Sequence, residues 1–345
     1  MKALILAGGK GTRLRPLTVY TPKPIVPVMN RPFLSYQLEL LSRAGISGAT
    51  LSLNYQPNKI EDTLGDGSDL GVAIDYVTEP SPLGTAGAFR FAADKVETTV
   101  VLNGDILSDI DLSAMISQHR GSGAAATIAL ARVPDPSAYG LVEIDDDGAV
   151  LRFIEKPSAA SLSEIKTDLI NAGIYILEPS VLELIPQGEN RSFEYDVFPM
   201  ILSKGMGFNS FVLEDNYWRD IGTPASYLQA HLDLLAGKFN FLVSPNISHS
   251  ELATTAFVDK RSVIAEGCVL KPGVRIENSV IGPGVFIEEK SLIKDSVLWS
   301  HSRVSSSAEI RGAVLCRSCH IGRNVVVGEG SVLGDKASIP DYSKV

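Results

Sequence analysis

The chain has 345 residues, enough for two domains, and its 45% hydrophobic and 21% charged content is that of a globular protein without low-complexity tracts. A formal net charge of -9 argues against general affinity for nucleic acid or anionic membranes, while leaving room for a local basic cleft. Three cysteines, Cys268, Cys316 and Cys319, are too few and too late for a disulfide framework. No segment has the form of a signal peptide or the length of a membrane span, so a cytoplasmic protein is expected.

Lys2 to Ala7 is a continuous apolar run, the mark of a strand buried on both faces. Pro32 to Ala44 has helical spacing (Phe33, Tyr36, Leu40, Leu41) and stops at Gly45. Strands are predicted at Thr50–Leu53, Val72–Val77, Thr98–Leu102 and Ala125–Ala131, and helices at Asn58–Leu64, Thr85–Asp94 and Leu112–His119. This alternation predicts an α/β domain with a Rossmann-like, mainly parallel sheet, which binds ligands at the carboxyl ends of its strands. A last helix runs from Thr223 to Ala236, with Thr223 as N-cap, Pro224 at the first position and Gly237 beyond the end.

After that helix the texture changes. Branched apolar residues recur at Ile264, Leu270, Ile276, Ile281, Ile287, Ile293, Leu298, Val304, Ile310 and Leu315, in steps of 6, 6 and 5 that total 17 residues per round. From Leu315 the step returns to 6, through Ile321, Val327, Leu333 and Ile339. Three units per round predict a coil with three flat sides, each leading aliphatic residue pointing to the axis, and small residues such as Val285, Ser291, Ser302 and Ala308 filling the crowded interior. The pattern resembles the hexapeptide-repeat left-handed parallel β-helix. The chain thus reads as a catalytic domain over 1–237, a linker over 238–257 and a β-helix over 258–345.

Leu6-Ala-Gly-Gly-Lys-Gly-Thr-Arg-Leu-Arg-Pro-Leu-Thr runs straight off the first strand. Gly8, Gly9 and Gly11 allow backbone N–H groups to approach a phosphate or a base closely. Arg13, Arg15 and the proline-flanked Lys23 follow, and their donors suit phosphate oxygens. The order fits neither GxGxxG nor GxxxxGK[ST].

The loop, together with Pro22-Lys-Pro24, resembles the signature of the sugar-nucleotide pyrophosphorylases. Further segments match that family in order: Glu79-Pro-Ser-Pro-Leu-Gly-Thr-Ala-Gly-Ala, Leu102-Asn-Gly-Asp105, Glu155-Lys156-Pro157, Asn171-Ala-Gly173 and Trp218-Arg-Asp220-Ile-Gly-Thr-Pro. The resemblance spans the catalytic half and continues into the tail. It implies attack by a sugar 1-phosphate on the α-phosphorus of a nucleoside triphosphate, expelling pyrophosphate. It further implies that Asp105 and Asp220 hold Mg²⁺, that Arg13 faces the triphosphate, and that Lys23 faces the reacting phosphates. Leu6, Ala7, Gly8, Gly9, Gly11, Thr12, Glu79, Pro80, Gly84 and Thr85 would surround the nucleotide. Lys156 would grip the sugar phosphate, with Glu155, Asn171, Tyr139 and Gly140 on the sugar side; Tyr139-Gly140 reads equally as a turn after Pro134 and Pro136.

Within the family, Gly84-Thr-Ala-Gly87, Asn171-Ala-Gly-Ile-Tyr-Ile-Leu and Phe193-Glu-Tyr-Asp-Val-Phe-Pro look most like the mannose-1-phosphate guanylyltransferases. Thymidylyl- and uridylyltransferases for glucose 1-phosphate share the loop and both aspartates and stay open. An acetyltransferase tail using His301 or His320, and a non-catalytic regulatory paralogue, are the readings from other classes. The intact Arg13, Lys23, Asp105, Lys156 and Asp220 oppose the second. The tail is expected to serve assembly of a homo-oligomer, so its removal should disturb assembly more than chemistry. Cys316-Arg-Ser-Cys319-His320 spells a haem-attachment pattern, but in the repeat frame both cysteines fall at packing positions. Asp109, Asp111 and Asp215 read as cap or turn residues.

Overall fold

The computed structural model describes residues 1–92, 97–155, 167–240 and 250–345. It divides into two compact units, one formed by Met1–Lys10 with Leu34–Trp218, the other by Gly11–Phe33 with Arg219–Val345.

The first unit is built on a nine-stranded sheet. Its elements are β1 (Lys2–Leu6), α1 (Leu34–Arg43), β2 (Gly48–Leu53), α2 (Pro57–Leu64), β3 (Ala73–Thr78), α3 (Gly84–Ala92), β4 (Thr99–Asn103), α4 (Leu112–Ser122), β5 (Ala126–Arg132), β6 (Leu141–Ile144), β7 (Val150–Ile154), β8 (Leu169–Leu177), α5 (Phe198–Ser203) and β9 (Phe208–Val212). The main strand order is β7-β6-β8-β4-β1-β2-β3, with β5 joining β8 to β9. The half from β4 to β3 is parallel, as the alternation predicts. At β8 the sheet turns antiparallel, against β4, β5 and β6. Ala3, Leu4 and Ile5 of β1 are almost wholly buried, which is why that strand reads as an unbroken apolar run. The predicted helix over Thr85–Asp94 is α3; Ala93 and Asp94 lie outside the described residues.

The core behind the antiparallel half is aromatic. Phe193, Phe198 and Tyr175 meet pairwise at centroid separations of 5.2–5.6 Å, and Phe208 joins Phe198 at 5.1 Å. Rings offset in this way add to their area burial. Burial raises the Tyr175 phenol well above its ordinary value, with Glu194 reinforcing the shift, so its hydroxyl stays neutral and able to donate.

In the second unit, α6 (Pro224–Leu235) carries the expected cap: Thr223 accepts from Ser226 N–H and Pro224 opens the helix. The tail is three parallel sheets of two- and three-residue strands. Ile264 pairs with Ile281, Ile281 with Leu298 and Leu298 with Leu315, each a step of 17. The next pairing, Leu315 with Leu333, lengthens to 18 where the sequence step returns to 6. The leading aliphatic residues from Ile264 to Val327 are at most 1% exposed. Among the described residues, pairing begins at Glu251–Leu252, upstream of Val263 where the repeat becomes readable.

Serines serve one corner of this coil. Ser262 accepts from Ser279 N–H, Ser279 from Ser296 N–H and Ser296 from Ala313 N–H, at 3.0–3.1 Å. The ladder satisfies backbone donors that the turns would otherwise bury. Cys316 and Cys319 are free and buried; burial pushes both thiols up, that of Cys319 to about 11, which suits packing residues and not haem attachment. His301 and His320 are exposed. Among the described residues, no helix is long and apolar enough to cross a membrane.

Candidate active site

Strand register brings the site residues of the first unit to one edge. Leu6 pairs with Asn103 and with Ser52, so Ala7-Gly8 and Gly104-Asp105 leave the sheet side by side, at the carboxyl ends of β1 and β4. Gly104 N–H donates to Leu6 O at 2.9 Å, and a Cβ at Gly104 would lie 2.7 Å from that oxygen. The glycine in Asn103-Gly-Asp105 is therefore required by close approach to the loop's first residues. Ile174 pairs with Leu102, which places Asn171-Ala-Gly173 beyond the end of β4, at the same edge. The register of β8 against β5 shifts between Asn171 and Tyr175, a bulge that re-aims these residues.

Of the residues expected around the nucleotide, Glu79 follows β3 and is buried. Its Oε1 accepts from Ser52 Oγ at 2.9 Å and its Oε2 from Leu83 N–H at 3.2 Å. A Cβ at Gly8 would come within 3.0 Å of Glu79 Oε1, so loop and carboxylate are packed together. Pro80 is exposed beside it. Gly84 has φ +72°, and a Cβ there would strike Arg191 O at 2.4 Å. The Thr85 hydroxyl, expected beside the nucleotide, is engaged within the protein: it donates to Glu194 Oε2 at 2.9 Å and accepts from Phe193 N–H at 2.9 Å.

Of the residues expected around the sugar, Asn171 donates its N–H to Gly140 O at 2.9 Å. A Cβ at Gly140 would lie 2.6 Å from Glu155 Oε2, so Gly140, Glu155 and Asn171 form one cluster. Tyr139 N–H closes a turn onto Pro136 O, and its ring meets Trp218 edge-on at 5.6 Å. Tyr139-Gly140 is thus a turn, and it abuts the cluster. Trp218 Nε1–H donates to Ala172 O at 2.9 Å. Lys156 lies outside the described residues.

Sequence reasoning did not single out Glu194 or Tyr175 as site-supporting residues. Asn171 Nδ2 donates to the Tyr175 hydroxyl at 2.9 Å, and that hydroxyl reaches Glu194 Oε1 at 3.5 Å, while Glu194 holds Thr85. The chain of contacts links the Asn171 cluster to the Gly84-Thr85 turn. The only signal in the sequence was a carboxylate within the otherwise aromatic Phe193-Glu-Tyr motif. Asp109 and Asp111 do the structural work expected of them. Asp109 accepts from Tyr217 N–H at 2.6 Å, and Asp111 caps α4 at Ala114 N–H, 2.9 Å.

The remaining site residues belong to the second unit. Gly11 has φ +59°, and a Cβ there would sit 3.1 Å from Lys23 Cβ and 3.2 Å from Thr18 Cγ2. Thr18 Oγ1 donates to Gly11 O at 2.7 Å, closing the segment on itself and placing the Lys23 stem against the loop. Thr12 and Arg13 lie in the short 3-10 turn Thr12–Leu14, anchored by the buried Leu14. Arg13 and Asp220 converge on Gly222: a Cβ there would lie 3.3 Å from Arg13 Nη2 and 2.9 and 3.0 Å from the two Asp220 carboxylate oxygens. This is a cradle that only glycine leaves open.

Among the described residues there is no cluster of three or more His, Cys, Asp or Glu side chains able to cage a metal. Asp105 and Asp220 each offer hard carboxylate oxygens, the donor type that divalent cations take beside substrate phosphates.

Residues 2–237 match the nucleotidyl transferase family, and residues 246–345 match the LbH domain of EIF2B subunit epsilon. A mannose-1-phosphate guanylyltransferase of Mycobacterium tuberculosis is 38% identical over 306 residues, spanning 85% of this chain and 82% of that protein. Mannose-1-phosphate guanylyltransferase 1 of Arabidopsis thaliana is 35% identical over 97% of this chain and 96% of its own. A UTP--glucose-1-phosphate uridylyltransferase of Synechocystis is 34% identical over 99% of this chain and 92% of its own. Among solved structures, a Bacillus anthracis protein named as a glucose-1-phosphate thymidylyltransferase, crystallised with sucrose, superposes with a TM-score of 0.62 at 26% identity, covering 70% of this chain and 97% of that one. Enzymes of this family generally use a divalent metal ion. Matched through its α/β half and similar to these relatives along most of its length, the chain belongs to the nucleotidyl transferase family and is an enzyme of that family carrying a left-handed β-helix tail.

Proposed function

We propose that the chain transfers a guanylyl group from GTP to mannose 1-phosphate, giving GDP-mannose and pyrophosphate. The observation that carries this reading is the gathering of Gly8, Glu79, Asp105, Gly140, Glu155 and Asn171 at one sheet edge. It is supported by relatives named mannose-1-phosphate guanylyltransferase that align along most of the chain.

The chemistry needs no general base, because a phosphate monoester loses its second proton near pH ~6 and the attacking oxygen is already anionic. The protein's work is to bring anions together and to neutralise the leaving pyrophosphate. Arg13 presents a fork of donors to that pyrophosphate, and Lys23 a point charge to the phosphates at the reacting centre. Gly8, Gly9 and Gly11 let the backbone approach the nucleotide, while Leu6, Ala7, Thr12, Glu79, Pro80 and the Gly84-Thr85 turn frame it. Glu155, Asn171 and Tyr139-Gly140 hold the sugar, and Lys156 its phosphate. Asp105 and Asp220 would hold Mg²⁺, which when bound neutralises charge on phosphate oxygens. A catalytic domain over 1–237, a linker over 238–257, a tail over 258–345 that contributes to a homo-oligomer, and a cytoplasmic setting complete the proposal.

The test is a pyrophosphate-release panel crossing GTP, UTP, dTTP and ATP with mannose, glucose and N-acetylglucosamine 1-phosphates. GTP with mannose 1-phosphate should turn over fastest. Faster turnover of UTP with glucose 1-phosphate, the reading that the Synechocystis relative favours, would replace base and sugar. Acetyl transfer from acetyl-CoA to an amino sugar would instead assign the tail its own activity.

A further inference from the structure

Gln37 sits in the apolar stripe of α1, between Leu34 and Leu41, and is 3% exposed. A buried amide on a helix face that otherwise packs hydrophobically needs partners. Its Nε2 donates to Asn103 O and to Ile106 O, each at 2.8 Å. These two carbonyls bracket Gly104-Asp105. The amide orientation is fixed by chemistry, since turning it over would set an acceptor against two acceptors. Its Oε1 is buried and, among the described residues, accepts no hydrogen bond. Gln37 therefore keeps both donors on the Asp105 turn while leaving its own oxygen unsatisfied. Gly104 holds the opposite side of that turn through its bond to Leu6 O.

We infer that Gln37 is a positioning residue for Asp105, clamping the turn so that the carboxylate is presented to the divalent cation in one orientation. The inference rests on the reading of Asp105 as a metal ligand. Residues that orient a metal ligand without touching the metal are typically worth about 10- to 100-fold in metal affinity. Gln37→Met keeps length and helix propensity but removes both donors. Gln37→Glu keeps shape and sets a carboxylate oxygen against two carbonyls.

The experiment measures Mn²⁺ binding to the full chain with GTP present, by calorimetry, beside the Mg²⁺ concentration for half-maximal pyrophosphate release. Far-ultraviolet circular dichroism serves as the folding control. Both variants should weaken Mn²⁺ binding and raise the Mg²⁺ requirement by about tenfold or more, with KM for mannose 1-phosphate unchanged. A merely structural role would lower the melting temperature and leave the metal dependence where it was. Should Gln37→Met not fold, Gln37→Glu carries the test alone. Metal binding within twofold of the parent, alongside an Asp105→Asn variant that has lost it, overturns the role of Gln37 only. Metal binding and activity retained in Asp105→Asn overturn the metal reading and this inference with it.

Discussion

Asp105 and Asp220 reach their places by different routes. Asp105 ends a turn clamped between α1 and the first residues of the glycine-rich loop, while Asp220 lies against Gly222 beside the Arg13 guanidinium. Replacing either carboxylate with the isosteric amide keeps the packing and removes a charge. Asp105→Asn and Asp220→Asn are each expected to cut kcat by on the order of 10²-fold or more with an unchanged melting curve. Steady-state pyrophosphate release checks this, and near-parental activity in either variant would remove that residue from the metal site. The sequence made both aspartates visible through their motifs. Gln37, Tyr175 and Glu194 were not visible in the same way, because a single polar residue within an apolar run carries no mark of what it will bond to.

The hexapeptide coil is the most legible element in the chain. Its 17-residue rounds reappear as strand register, since an inward aliphatic ladder leaves no other phase available. The strands β6 to β8 carry no comparable mark, because the antiparallel half of the sheet is set by long-range pairing around β8, and β9 is fixed by its parallel pairing with the distant β5. Also unannounced was the packing of segment 11–33 within the second unit. Trp299 Nε1–H donates to the Tyr227 hydroxyl at 2.9 Å, which in turn donates to Pro27 O; both aromatic side chains are buried. Arg317 Nη1 donates to Thr21 Oγ1 at 3.0 Å, and Asn30 Nδ2 to Ile281 O at 3.0 Å. Trp299→Phe removes one donor and some volume, and should destabilise the fold by about 2 kcal/mol, read as a lower urea midpoint with an unchanged slope.

His231 adds a pH dependence to the same region. Its Nδ1–H donates to Tyr227 O at 3.0 Å and its Nε2 accepts from Met29 N–H at 3.2 Å, so only the neutral ring satisfies both partners. Burial pulls its pKa down to about 4. The unfolded chain takes up a proton near pH ~6.5 while the native state does not. This contribution is therefore full above that pH and is lost as the pH falls towards about 4, at about 1.4 kcal/mol per pH unit. Melting temperatures between pH 7 and 5 should fall more steeply for the parent than for His231→Phe; equal slopes would show that His231 is not the group responsible.

At the scale of the whole molecule, the tail has more to do than the repeat alone suggests. From the sequence alone the tail is expected to serve assembly more than chemistry. Yet the segment bearing Arg13 and Lys23 takes one hydrogen bond from Arg317 and offers one to Ile281 O, so ending the chain near Val258 strips that segment of these partners. Truncation is thus expected to lower kcat by about 10²-fold, the scale of a misplaced reacting group, together with any loss of assembly. An active truncated chain would return the tail to assembly alone. Nucleotidyl transfer to a sugar 1-phosphate can be followed by phosphorus NMR on the full chain with GTP, mannose 1-phosphate and Mg²⁺. GDP-mannose and pyrophosphate should form in equal amounts. Release of orthophosphate, or GTP left unconsumed beside mannose 1-phosphate, would contradict it.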